Sequence, residues 1–82
     1  MTKDEISIEL EKIFREVLDD ESIDLKPGTN ADDIEAWDSM SNIHLIIAQE
    51  NKFNIRFDLG QISELKNISE LIDLIYNELS NK

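Results

Sequence analysis

The chain has no cysteine, a single proline, two glycines and one histidine in 82 residues. Without cysteine there is no disulfide framework, no thiolate nucleophile and no thiolate metal site, so any sulfur chemistry has to come from an attached group. A lone histidine, His44, has no partner with which to build a zinc site or a catalytic triad, and it reads as a solvent-facing residue. No apolar run approaches the length that spans a bilayer, and Met1-Thr2-Lys3-Asp4-Glu5 lacks the apolar core of a signal peptide, so a cytoplasmic protein without membrane insertion is expected. Basic residues are also scarce, with eight Lys and Arg against 19 Asp and Glu for a net charge of -11. That balance argues against nucleic acid and anionic membranes as partners and favours basic protein surfaces. The acids at 19–24 and 32–38 lack the alternating Asp spacing, central Gly and twelfth-position Glu of an EF-hand, so no metal site is expected.

What remains is apolar periodicity and an uneven charge. Hydrophobic residues make up 40% of the chain, enough for one modest core and a single domain over residues 1–82. Residues 1–38 hold 13 acids against Lys3, Lys12, Arg15 and Lys26, a balance of -9, whereas residues 39–82 hold 6 acids against four bases, a balance of -2. The acidity therefore lies ahead of Ser39.

The spacing predicts a helix over Lys3–Leu18, opened by a capping box between Thr2 and Glu5. Ile6, Leu10, Ile13, Phe14, Val17 and Leu18 form one apolar stripe, and Ile8 falls off it. Residues 19–38 read as a long loop. Pro27-Gly28 marks a turn in which Gly28 supplies the positive φ of a type II geometry, and Ile23, Leu25, Ile34 and Trp37 anchor the loop to the core.

A second helix is expected from Asp38 or Ser39 to about Lys52. It carries two apolar stripes rather than one. Met40, Ile43 and Ile47 lie on one side, while Leu45, Ile46 and Phe53 lie nearly opposite with Ala48 flanking. One stripe faces the core and the other is either buried by a second neighbour or offered to a partner. Gln49 falls on the inward side, either exposed by a small rotation or buried and hydrogen-bonded. Ile55 and Phe57 plug the end of the bundle. A short helix follows over Leu59–Leu65, weakened by Gly60. A last helix begins with Asn67 and Glu70 as N-cap and N3 residues, and runs through Ile68, Leu71, Ile72, Ile75, Tyr76 and Leu79. No segment alternates with period two. The fold class is all-α: a small four-helix bundle of three main helices and a short one, with a long loop between the first and second.

Asp38-Ser39-Met40 is the one place that looks like chemistry. A serine at the positive end of a helix is well placed to carry a phosphodiester, because free N–H groups and the macrodipole favour an anion there. The ordinary alternative is an N-cap, and the two are compatible if Asp38 caps while Ser39 carries the phosphate.

From Trp37 onward the chain resembles the acyl carrier protein family of phosphopantetheine-binding carriers. Asp38-Ser39-Met40-Ser41-Asn42-Ile43-His44-Leu45-Ile46-Ile47-Ala48-Gln49-Glu50-Asn51-Lys52-Phe53 is similar to the family's Asp-Ser-Leu helix with its closing Phe. Phe57, Ile62, Leu65, Ile68, Ile72 and Ile75 continue the pattern without a gap. The resemblance implies that Ser39 receives 4'-phosphopantetheine from coenzyme A through a separate phosphopantetheinyl transferase, that Asp38 helps the transferase recognise it, and that the chain itself is not an enzyme. The attached thiol would carry acyl or aminoacyl groups as thioesters between biosynthetic enzymes, with the protein acting as a monomer. Met40, Ile43 and Ile47 match positions where family members meet partners.

The family's fatty-acid members carry several acids along this helix. Here Ser41, His44 and Asn51 stand in that stretch, Lys52 adds a positive charge, and only Asp38 and Glu50 keep an acidic character. Asp32, Asp33 and Glu35 in the preceding loop supply the charge instead. A specialised rather than housekeeping carrier is expected, read by partners at the loop end and the apolar stripe. Trp37 fits that reading, or serves as a loop anchor. The position of Gln49 is usually apolar in the family. The alternative from another class is an unmodified acidic helical protein-interaction module.

Overall fold

A computed structural model describes residues 1–63 and 65–81, including the side chains of all but Ala31, Ser39, Leu59 and Ser63. The elements are α1 (Lys3–Val17), a 3-10 turn (Ala31–Asp33), α2 (Ser39–Phe53), α3 (Leu59–Ser63) and α4 (Ile68–Ser80). They match the expectation of an all-helical bundle, with no strand among the described residues. No helix among the described residues is long and apolar enough to cross a membrane.

α1 opens as its sequence requires. The Thr2 hydroxyl accepts from the Glu5 N–H at 3.2 Å, and the Thr2 N–H donates to Glu5 Oε1 at 3.0 Å. These two bonds satisfy donors that the first helical turn leaves free. The Thr2 N–H holds the Glu5 carboxyl below its ordinary pKa, helped by the Thr2 hydroxyl. Ile6, Leu10, Ile13 and Phe14 are buried, Val17 and Leu18 pack against them, and Ile8 is exposed. α1 packs against both α2 and α4 and forms the centre of the core. Leu18 caps the helix rather than ending it, and Asp19 turns the chain with a positive φ of 52°.

The long loop is tied down at both ends. Arg15 Nε donates to the Ile23 carbonyl at 2.8 Å, and the Leu25 N–H donates to Glu11 Oε2 at 3.1 Å. These bonds draw Ile23 and Leu25 into the core. Further along, the carbonyls of Thr29 and Pro27 accept from the N–H groups of Ile68 and Ser69 at 2.8 and 2.9 Å. The loop therefore supplies acceptors for the first turn of α4, which has few of its own. The turn itself corrects an expectation. Thr29 N–H donates to the Lys26 carbonyl at 2.9 Å, yet Gly28 does not take a positive φ. A type I geometry closes this bond with any residue at the second central position, so the freedom of glycine goes unused.

At the far end of α2 the positive φ falls on Asn54, at 54°, which ends the helix in the left-handed region. Ile55 is then buried, and Phe57 packs on the core, closing the bundle as expected. The Phe57 N–H donates to Glu50 Oε2 at 2.9 Å, which stitches the connection back onto α2. In α3, Asp58 Oδ1 accepts from the Gly60 N–H at 2.8 Å. The helix covers the first five positions of the expected Leu59–Leu65 span, and Glu64 lies outside the described residues. α4 starts with Asn67 accepting from the Glu70 N–H at 3.0 Å. The Glu70 carboxylate, however, accepts from the Lys66 N–H rather than closing a box on Asn67.

Candidate functional site at the head of the second helix

Ser39 is the first residue of α2, and its neighbours on both sides fix where the helix begins. Asp38 is the N-cap, in extended backbone at φ -114°. Its Oδ1 accepts from the Ser41 N–H at 2.8 Å, and Ser41 Oγ in turn accepts from the Asp38 N–H at 3.4 Å. The Ser41 hydroxyl also lies 2.7 Å from both Asp38 Oδ1 and the Ala36 carbonyl, so its one proton ties the loop to the cap. These bonds, the Ser41 N–H first and the Ser41 hydroxyl second, hold the Asp38 carboxyl below its ordinary pKa. With Asp38 as cap, the residue after it is not needed for that task.

Trp37 sets the approach to this cap. Its ring meets Phe14 of α1 edge-on with centroids 4.9 Å apart, and its Nε1–H donates to Asn42 Oδ1 at 3.0 Å. One side chain thus links the core helix, the loop end and the first turn of α2. The anchoring role expected for Trp37 is met.

The two stripes of α2 separate. Leu45 and Phe53 are buried. Met40, Ile43 and Ile47 are 72%, 58% and 50% exposed and form an apolar strip running away from the helix head. His44 is exposed beside them. Glu50 is half-buried, and its carboxylate serves the Phe57 N–H. Both acids that remain on this helix are therefore engaged in backbone hydrogen bonds. Lys52 reaches Glu9 of α1 at 3.3 Å, and this bond is the main reason the Glu9 carboxyl sits below its ordinary pKa. Asp32, Asp33 and Glu35 are exposed on the loop. Asp33 accepts from the Asn30 N–H at 3.0 Å. Asp33 and Glu35 border a depression shared with Asp20, Asp24 and Lys26, so their charge is pooled with the loop.

A second feature begins at the same helix head. A cleft of about 400 Å³ opens beside Asp38 and runs between α2 and the 62–71 segment. Asn42, Ile46 and Gln49 form its α2 wall, faced by Ile62, Leu65 and Leu71. Residues 38, 42, 46 and 49 recur at helical spacing, so they share one side of α2. Gln49 is 2% exposed, and its Oε1 has no hydrogen-bond partner among the described residues. It is buried, as one of the two expectations held, but its Oε1 lacks, among the described residues, the hydrogen bond that reading called for. A buried acceptor left in this state costs about 1–3 kcal/mol.

Comparison with known proteins gives this arrangement its class. The family model described as the phosphopantetheine attachment site matches residues 9–75. An acyl carrier protein of Acidothermus cellulolyticus is 31% identical over 77 residues, covering 94% of this chain and 92% of that protein. The solution structure of a holo acyl carrier protein from Geobacter metallireducens superposes with a TM-score of 0.84 at 42% identity, over 98% of this chain and 87% of that one.

The helical fold and the matched region define a phosphopantetheine-bearing carrier. The chain belongs to the acyl carrier protein family. It is a carrier rather than an enzyme, and its cofactor is covalently attached 4'-phosphopantetheine. Proteins of this family are served by phosphopantetheinyl transferases and deal with biosynthetic enzymes.

Proposed function

We propose that Ser39 is the residue esterified by the phosphopantetheinyl group, and that the protein carries acyl or aminoacyl intermediates for a specialised pathway. The observation that carries this reading is the division of labour at the helix head. Asp38 caps α2 through Ser41, and Ser39 follows it as the first helical residue. A phosphate on Ser39 would meet the positive end of a helix of fifteen residues. The residues present fit the group in a second respect. The cleft that starts at Asp38 has Ile46, Ile62, Leu65 and Leu71 in its walls, apolar groups that would shelter what the group carries. When bound, the group supplies the thiol on which cargo is held as a thioester.

In the transfer, the Ser39 hydroxyl would attack the coenzyme A phosphate that bears the pantetheine arm. The phosphoanhydride bond would break with adenosine 3',5'-bisphosphate as the leaving group, and the hydroxyl proton would pass to a base that the transferase brings together with magnesium. Asp38 keeps the helix head in place for that enzyme. Met40, Ile43 and Ile47 offer an apolar contact beside the reacting residue. Asp32, Asp33 and Glu35 add negative charge from the loop, suited to partners with basic docking surfaces. Glu50 contributes less to such a surface, because its carboxylate already holds the Phe57 N–H. The absence of a row of acids along α2 supports a specialised carrier over a housekeeping one. The protein would work as a cytoplasmic monomer.

Intact mass after incubation with coenzyme A and a broad-specificity transferase tests the reading. The wild type should gain one phosphopantetheine, and Ser39→Ala should gain none. Modification of the Ser39→Ala variant would refute the assignment. Charge reversal at Asp32, Asp33 and Glu35 should slow modification, and unchanged kinetics would remove the loop from the docking surface.

A further inference from the structure

We infer that Gln49 makes the cleft selective for an acyl cargo bearing a hydrogen-bond donor, a hydroxyl or an N–H, over a plain alkyl chain. This inference deepens the carrier reading and rests on it. Three observations lead to it. The cleft begins at Asp38, adjacent to the proposed attachment residue, and its α2 wall runs through Asn42 and Ile46 to Gln49. Ten residues separate Ser39 from Gln49, about 15 Å along the helix axis. Cargo entering at the helix head and lying along this wall therefore passes Asn42 and Ile46 before it reaches Gln49, with Ile62, Leu65 and Leu71 on the other wall.

The second observation is the state of the Gln49 carbonyl. Its Oε1 is buried without a partner among the described residues, although buried side-chain acceptors are nearly always paired. The third is that three other polar side chains lining the cleft already serve as acceptors elsewhere. Asn42 Oδ1 accepts from Trp37 Nε1–H, Asp38 accepts from Ser41, and Asn67 accepts from the Glu70 N–H. Gln49 Oε1 can only accept, so the group that completes it has to donate. An alkyl chain in the same place would leave the acceptor stranded, whereas a chain with a suitably placed hydroxyl or N–H would pair it. Sites whose buried polar groups need a partner reject analogues that lack one.

The test uses the wild type and Gln49→Met, which keeps the side chain unbranched and removes the acceptor. A promiscuous transferase loads each protein from coenzyme A or from its thioesters with octanoate or with octanoate hydroxylated at the third or the last carbon. Intact mass verifies one adduct, and melting temperature is then read. In the wild type, one hydroxylated form should melt above the octanoyl form by on the order of 4 °C, the size expected for one neutral hydrogen bond in a domain this small. In Gln49→Met the unloaded protein should melt higher than wild type, and the preference for the hydroxylated form should vanish or reverse. Equal melting of all three wild-type forms would overturn the inference. So would a preference that survives in Gln49→Met. A gain already complete in the cargo-free holo form would overturn it too, because the arm's own amides would then be the donors. Failure to load any group is a different result, visible in the mass, and it removes the carrier reading with this inference.

Discussion

α1 and α2 have the same length, fifteen residues each, but spend their apolar residues differently. α1 has one stripe, and Ile6, Leu10, Ile13 and Phe14 all go into the core. α2 has two, and Met40, Ile43 and Ile47 stay outside while Leu45 and Phe53 go in. The inner side of α2 also holds Gln49, whereas no polar residue of α1 is buried. A helix whose only task is the fold puts apolar groups inside and polar groups outside. α2 departs from that rule in both directions, on the outer stripe that begins beside Ser39 and at Gln49 further along the inner side. The difference separates the residues that hold the protein together from those we propose meet a partner or the cargo.

The sharpest way to break this contrast is to truncate one residue from each set. Leu10→Ala should cost about 2–5 kcal/mol of unfolding free energy, because it opens a cavity in the centre of the core. Ile43→Ser should change stability by less than about 0.5 kcal/mol, as exposed substitutions do, while slowing modification or partner binding. Denaturant titration of both variants decides the matter. Similar losses would mean that the outer stripe is structural after all.

Trp37 joins the two helices, and its removal should fall between those extremes. Trp37→Ala loses the edge-on contact with Phe14 and the bond to Asn42 and should cost about 1–3 kcal/mol. Trp37→Phe keeps the ring and loses only the bond, about 0.5–1.5 kcal/mol. If the two variants were equally unstable, the ring contact would contribute nothing to placing the helix head.

Acid titration probes the head itself. The folded-state pKa of Asp38 is depressed, so its contribution to stability is present above the ordinary carboxylate pKa and is lost as pH falls through the lower, folded value. Asn is also a good N-cap but does not titrate. Asp38→Asn should therefore remain folded at neutral pH and lose less stability than wild type on acidification. A parallel loss in both proteins would place the acid-sensitive groups elsewhere, with Glu5 and Glu9 as the first to examine because their carboxyls are depressed too. A small gain rather than a loss is expected at the other end of α2. Asn54→Gly should stabilise by up to about 1 kcal/mol, because glycine takes the left-handed conformation of this position without strain.

Much of this was legible before the structure, wherever the determining contacts are local. The Thr2–Glu5 box, the Asn67 cap and the two stripes of α2 each depend on residues within a few positions of one another, and spacing reveals them. What spacing could not reveal depends on residues brought together by the fold. Arg15 meeting the Ile23 carbonyl, the Thr29 carbonyl meeting the Ile68 N–H, and Lys52 meeting Glu9 are of this kind. The partner of Glu50 was missed for the same reason, since Phe57 returns to it only after the chain turns at Asn54. Gly28 misled because a proline–glycine pair closes more than one type of turn. At the site, the sequence pattern led to Ser39 and Asp38. It left unseen the Ser41 hydroxyl that locks Asp38 and the missing partner of Gln49.

The central claim concerns one ester bond, and fragmentation mass spectrometry of the modified protein tests it most directly. Wild-type chain treated with coenzyme A and transferase should yield a single modified peptide, with the added mass on Ser39. Finding the group on Ser41, on any other serine, or on no residue at all would contradict the account.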